Sequence, residues 1–158
     1  MADEASEKQA KLKQKLLDFA EGFPFFNHMG FEVVDMRPGW AKVQVKLTDP
    51  LRNPNGQIHG GVIASLIDMS ITQAMLLTDS YQQVRETRGV MTTVDLRVKY
   101  LRALSEGVAT VETEIIHSGR RIVHSSSVVT DQDGRKLALG DSTLMIVLGK
   151  NKPKSKDS

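Results

Sequence analysis

Residues 60–78, "GGVIASLIDMSITQAMLLT", constrain the fold more than any other stretch of the chain. Ile63, Leu66, Ile67, Ala74 and Leu77 recur at helical spacing, while Gly61, Ser65, Asp68 and Thr72 fall together on another face. A helix of about five turns that is this apolar needs a surface to lie against. The flanking segments alternate instead with a period of two. Before it, Ala41, Val43, Val45 and Leu47 alternate with Trp40, Lys42, Gln44 and Lys46 behind Pro38-Gly39, which reads as a hairpin with one buried face. After it, beyond a polar stretch "DSYQQVRETRG", the chain reads as four strands and no further helix. In the first, "VMTTVDLRVKYL", Val94, Leu96, Val98 and Tyr100 alternate; "SEG" turns into "VATVETEIIHSG", and "RRIVHSSSVVTD" leads through "DQDG" into "RKLALGDSTLMIVL". Antiparallel strands around one long apolar helix predict an α+β fold, a curved sheet wrapped around a central helix.

The chain has 158 residues, the size of one domain. Residues 1–22 are expected to form an amphipathic helix carrying Leu12, Leu16, Phe19 and Phe23 and ending near Gly22. The folded domain then spans 23–149, and the Lys-rich tail 150–158 has no apolar pattern and is expected to be disordered. A formal charge of +2 does not suit a dedicated nucleic-acid binder. The lack of cysteine excludes disulfides and thiol chemistry and suits a reducing compartment. The acidic, lysine-rich start does not resemble a secretory signal, and no apolar run reaches the length of a membrane span, so a cytoplasmic protein is expected. His28, His59, His117 and His124 show no metal-ligand spacing and no phosphate-binding loop is present, so neither a metal nor a cofactor is expected.

Asp68 is the one carboxylate in the long helix. Asp is ordinarily exposed, and a solvated face or a neighbouring side chain can satisfy it. The Gly60-Gly61 pair upstream adds a second reading. Glycines let a ligand approach a helix N-terminus, whose free N–H groups favour developing negative charge, and these are the parts of an oxyanion hole. Along one helix, however, Gly60 and Asp68 stand roughly 12 Å apart and cannot act on one carbonyl together. A second copy of the helix running antiparallel across a two-fold axis brings the Asp68 of one chain toward the Gly60 of the other. Catalysis by these groups therefore requires at least a dimer with two composite sites.

The stretch "NPNGQIHGGVIASLID" resembles the signature of hotdog-fold acyl-CoA thioesterases, in particular the phenylacetyl-CoA thioesterase-like (PaaI-type) group. Downstream, "TTVDLRVKYLRALSEG", "HSGRRI" and "DQDGRKLALGD" resemble that group's later strands, so the likeness covers about residues 28–148. It implies a hotdog fold assembled as dimers and commonly as homotetramers, with acyl-CoA as substrate. By the same resemblance Asp68 is the catalytic carboxylate, as general base on water or as nucleophile, with the water route favoured, and the Gly60 N–H polarises the thioester carbonyl. Asn53 matches an asparagine expected near the thioester; beside Pro54 it is equally a turn former. Thr93 falls where related enzymes often carry a Ser or Thr facing the attacking water, with Thr92 the alternative if the strand register slips by one. Thr72, one turn after Asp68, can hold the same water or be a plain helix residue. The resemblance makes His59 mainly structural, bonded to backbone near the loop, and His59 and Gly61 are expected to border the bound substrate. Arg120 and Arg121, at a turn where this family often contacts the nucleotide, are candidates for the CoA phosphates together with Arg97 and Lys99. Phe25, Phe26, Met29 and Met69 are candidates for the acyl pocket. Two other readings remain: a hotdog dehydratase of 3-hydroxyacyl thioesters, which makes His59 essential, and a non-catalytic acyl-CoA binder.

Overall fold

In the hairpin of β1 (Phe31–Arg37) and β2 (Trp40–Lys46), the alternation of β2 is realised residue by residue. Ala41, Val43 and Val45 are fully buried, and Leu47 just beyond the strand continues the face. The reversal between them uses Gly39 at φ 79°, a conformation that glycine adopts without penalty. The structure is a computed structural model that describes residues 2–150; the rest of the Lys-rich tail lies outside the described residues.

The chain starts with α1 (Ala2–Glu21) and a short α2 (Pro24–Met29), then forms the hairpin. A loop leads into α3 (Gly60–Met75), followed by α4 (Asp79–Thr87) and four strands: β3 (Val90–Tyr100), β4 (Val108–Ser118), β5 (Ile122–Thr130) and β6 (Lys136–Val147). All neighbouring strands are antiparallel, in the order β1-β2-β4-β5-β6-β3. The α+β expectation of a sheet around a long helix is met.

α3 lies on the face of the sheet formed by the inward residues. Leu66 and Ile67 are fully buried among Val43, Val45, Val111, Val129 and Ala138, and Ile71 and Met75 pack with Val123, Leu144 and Ile146. Gly140 on β6 makes this contact close: a Cβ there would lie 2.9 Å from the Ile67 side chain. Ser70 adds a polar tie. Its hydroxyl donates to the Ile67 carbonyl and meets Thr113 of β4, which in turn bonds Ser127 of β5 at 2.7 Å.

Two elements differ from expectation. The polar stretch after the long helix is itself helical: Thr78 caps α4 by accepting the Tyr81 N–H, and Val84 anchors it in the core. Its apolar residues are too few for periodicity to stand out. The long helix accordingly stops at Met75 rather than continuing to Thr78. In α1 the apolar face is not fully covered: Phe19 remains exposed, as does Phe23 beyond the helix, their rings stacked edge to face.

Candidate active site

α3 starts at a cap built from its own preceding residue. His59 Nδ1 accepts the Gly61 N–H at 2.9 Å, and the His59 carbonyl accepts the Val62 N–H at 2.9 Å. Accepting at Nδ1 assigns the proton of the neutral imidazole to Nε2. The Gly60 N–H has no acceptor among the described residues, which leaves it as a free donor at the positive end of a 16-residue helix. It borders a cleft of about 390 Å³ whose walls include Asn53, Gln57, Ile63, Tyr100 and Leu137.

Asn53 shapes the loop that forms one side of this cleft. Its Oδ1 accepts the N–H groups of Asn55 and Gln57, at 3.0 and 3.1 Å, and its backbone N–H donates to the Gln57 carbonyl. Those bonds are the turn-forming role of an asparagine. They also leave Nδ2 as a donor without a partner among the described residues. Arg52, which no sequence pattern singled out, holds this loop: its guanidinium donates to the carbonyls of Gly56 and Ser105 and pairs with Asp49.

Asp68 lies further along α3 on its open side, half-buried. Thr93 of β3 donates from Oγ1 to Asp68 Oδ1 at 2.7 Å. Oδ2 has no partner among the described residues. The register question at Thr92 and Thr93 is answered by a bulge. The pairing of β3 with β6 shifts between Thr93 and Asp95, so Thr93 and Leu96 both face the helix side although they are three residues apart. Thr92 points to the other face and is exposed. The predicted even alternation of Val94 with Leu96 and Val98 fails for the same reason, and Val94 is left exposed at the bulge.

The remaining candidates are spread more widely. Thr72 is half-buried and its hydroxyl has no partner among the described residues. Gly61 is exposed and its N–H is engaged with His59. Met69 packs against the core, as does Met29; Phe26 is fully buried core, and Phe25 is exposed. Arg120 and Arg121 are exposed at the β4–β5 turn. Val123 pairs with Leu144, which pairs with Thr93, so these arginines lie at the Asp68–Thr93 end of the sheet, away from Gly60. Arg97 and Lys99 are exposed on the face opposite α3, and Arg97 pairs there with Asp95 at 3.1 Å. Sequence patterning placed Tyr100 in the alternation of its strand but not in the site. Its hydroxyl donates to the Gly60 carbonyl at 2.8 Å, a contact between residues forty positions apart that no local signal announces.

Residues 55–138 match the family model of the Thioesterase superfamily, more than half of the chain. The chain belongs to the thioesterase superfamily. A relative from Saccharolobus solfataricus is 30% identical over 98 residues, which are 62% of this chain and 61% of that protein, so the match spans less than two thirds of the relative's length. The 1,4-dihydroxy-2-naphthoyl-CoA hydrolase of Listeria monocytogenes is 25% identical over 120 residues, covering 75% of this chain and 91% of the hydrolase. The structure of the E. coli PaaI protein from the phenylacetic acid degradation operon superimposes with a TM-score of 0.73 at 19% identity, over 89% of this chain and 96% of that one. The sheet and helix of this superfamily member thus have the hotdog fold. Asp68, Gly60 and Asn55 onward to Ala138 all fall within the matched residues, whereas Asn53 lies just before them.

Proposed function

We propose that the chain is an acyl-CoA thioesterase acting through Asp68 and the Gly60 N–H of paired subunits. The observation that carries this reading is the hydrogen bond from Thr93 to Asp68, which holds a half-buried carboxylate with one oxygen left for a water. The Thr93 oxygen keeps lone pairs that accept from the same water. Asp68 takes a proton from this water as its oxygen adds to the thioester carbonyl. The developing oxyanion is met by the Gly60 N–H at the helix N-terminus. Collapse breaks the carbon–sulfur bond, CoA leaves as the thiol after taking the proton, and the free acid remains. The CoA-thioester hydrolase among the relatives supports the substrate class.

The helix itself supports the pairing of subunits. Gly60 and Asp68 are on one helix, roughly 12 Å apart. β3, the strand that carries Thr93, is an eleven-residue edge with no neighbour on its outer side among the described residues. Such an edge is open to a second copy, and antiparallel pairing across a two-fold axis brings Asp68 of one chain toward Gly60 of the other. Assembly of dimers into a tetramer is consistent with this arrangement. In the subunit that supplies Asp68, Arg120 and Arg121 lie on the same side and suit the CoA phosphates.

CoA release from a panel of aryl and aliphatic acyl-CoA thioesters tests the reading. Turnover of at least one thioester, slowed about 10²-fold or more by Asp68→Asn, is expected for loss of a general base. Tight binding without turnover would instead make the protein an acyl-CoA binder. The dehydratase alternative is disfavoured by His59, whose Nδ1 is committed to the Gly61 N–H.

A further inference from the structure

The first peptide group of α3, between Gly60 and Gly61, is gripped at both ends. Its N–H donates to His59 Nδ1, and its C=O accepts from the Tyr100 hydroxyl at 2.8 Å. Tyr100 also confines the residue from the side, since a Cβ on Gly60 would lie 3.3 Å from its Cζ and Oη. We infer that Tyr100 is a positioning residue of this site: it fixes the peptide that follows Gly60, and through it the residue whose own N–H meets the thioester oxygen.

The physical need for such a clamp lies in the sequence at the helix start. Two consecutive glycines have more backbone freedom than any other pair, and the first turn of a helix lacks the ladder bonds that would restrain it. An oxyanion donor is effective only when it is aimed before the charge develops. His59 restrains one end of the Gly60–Gly61 peptide but is a short-range contact within the same turn. Tyr100 supplies the restraint from outside the helix. It comes from the last residue of β3, paired with Ala138 of β6, so the glycine turn is referred to the sheet. β3 therefore braces α3 twice, with Thr93 at Asp68 and Tyr100 at Gly60, roughly 20 Å apart along the strand.

This inference rests on the thioesterase reading of the site. Its test is Tyr100→Phe, which removes the hydroxyl and keeps the ring. With the best substrate of the panel, kcat is expected to fall about tenfold with KM nearly unchanged, the pattern of an interaction that matters in the transition state. Backbone amide exchange at Gly61, whose N–H is bonded to His59, is expected to speed up in the same variant. A second pair of variants checks the ring: Gly60→Ala should cost less activity in a Tyr100→Leu background than in the parent. Unchanged kcat together with unchanged amide exchange in Tyr100→Phe overturns the inference. If the parent hydrolyses no acyl-CoA, the thioesterase reading fails by itself, and the exchange rate of the Gly61 amide still decides whether Tyr100 fixes this peptide.

Discussion

Thr93 Oγ1 donates a 2.7 Å hydrogen bond to Asp68 Oδ1, joining the edge strand of the sheet to the open side of its central helix. A hydroxyl at this position orients the carboxylate, and its removal leaves Asp68 free to rotate. Thr93→Ala is expected to lower kcat about ten- to a hundredfold, the range for a hydrogen bond to a charged group. Thr93→Ser should recover most of the loss. Steady-state CoA release on the three proteins checks this, and equal rates in parent and Thr93→Ala would remove Thr93 from the site.

The proposed composite arrangement makes a prediction about mixed subunits. Gly60→Pro removes the N–H at the first helical position, where proline is tolerated, and His59 at ψ 136° is already in a conformation that suits a following proline. Gly60→Pro and Asp68→Asn should each be nearly inactive alone. Subunits exchanged in equal amounts should regain about a quarter of parent activity, because half the dimers then contain one intact site. No recovery after verified subunit exchange would place both groups in the same chain's site.

Asn53 combines two roles that a pair of variants separates. Asn53→Asp retains the acceptor that closes the loop onto Asn55 and Gln57 but loses the Nδ2 donor. It should keep the parent Tm while slowing turnover. Asn53→Ala should lower both. Thermal melts alongside kinetics read the difference, and full activity in Asn53→Asp would confine the residue to the turn.

Packing between α3 and β6 depends on the missing side chain of Gly140. A Cβ there meets Ile67 at 2.9 Å, so Gly140→Ala is expected to destabilise by about 1–3 kcal/mol through overpacking. Combining it with Ile67→Ala should cost less than the sum of the two single changes, as urea titrations would report.

The β5–β6 turn carries the pH-sensitive group. Burial by itself would raise the Asp131 carboxyl, but the backbone N–H and guanidinium of Arg135, with the Asp133 N–H, outweigh this and hold it below the usual carboxylate range. The native state therefore binds this proton less readily than the unfolded chain. The stabilisation is present above the unfolded-state value, about 3.9, and is lost as pH falls through the lower folded value. Asp131→Asn should lower Tm at pH 7, with the gap to the parent closing below about pH 4. A gap independent of pH would assign the effect to geometry rather than charge.

Much of the candidate site was legible because its signals are local. Gly60 and Asp68 stand out through helical periodicity over a single element, and the turn chemistry of Asn53 and the Asp131–Arg135 reversal depends on neighbours within four residues. Helix α4 was not legible, since its one buried residue, Val84, leaves no periodic stripe. The choice between Thr92 and Thr93 also escaped the pattern: alternation predicts which residues share a face only while the pleat is regular, and the bulge after Thr93 changes the parity.

From the sequence alone follow an antiparallel sheet, a long apolar helix with one carboxylate, and a glycine pair at that helix's start. Strand order was decided only by the tertiary structure. β3 follows α4 in the chain yet pairs with β6 at the far edge, while β2 pairs with β4. Alternating side chains specify that a strand has a buried face, not which strand will bond to its edge, because backbone hydrogen bonds are nearly indifferent to side-chain identity. Placing β3 at that edge is what brings Thr93 to Asp68 and Tyr100 to Gly60, contacts between residues 25 and 40 positions apart that exist only once the sheet has closed over the helix.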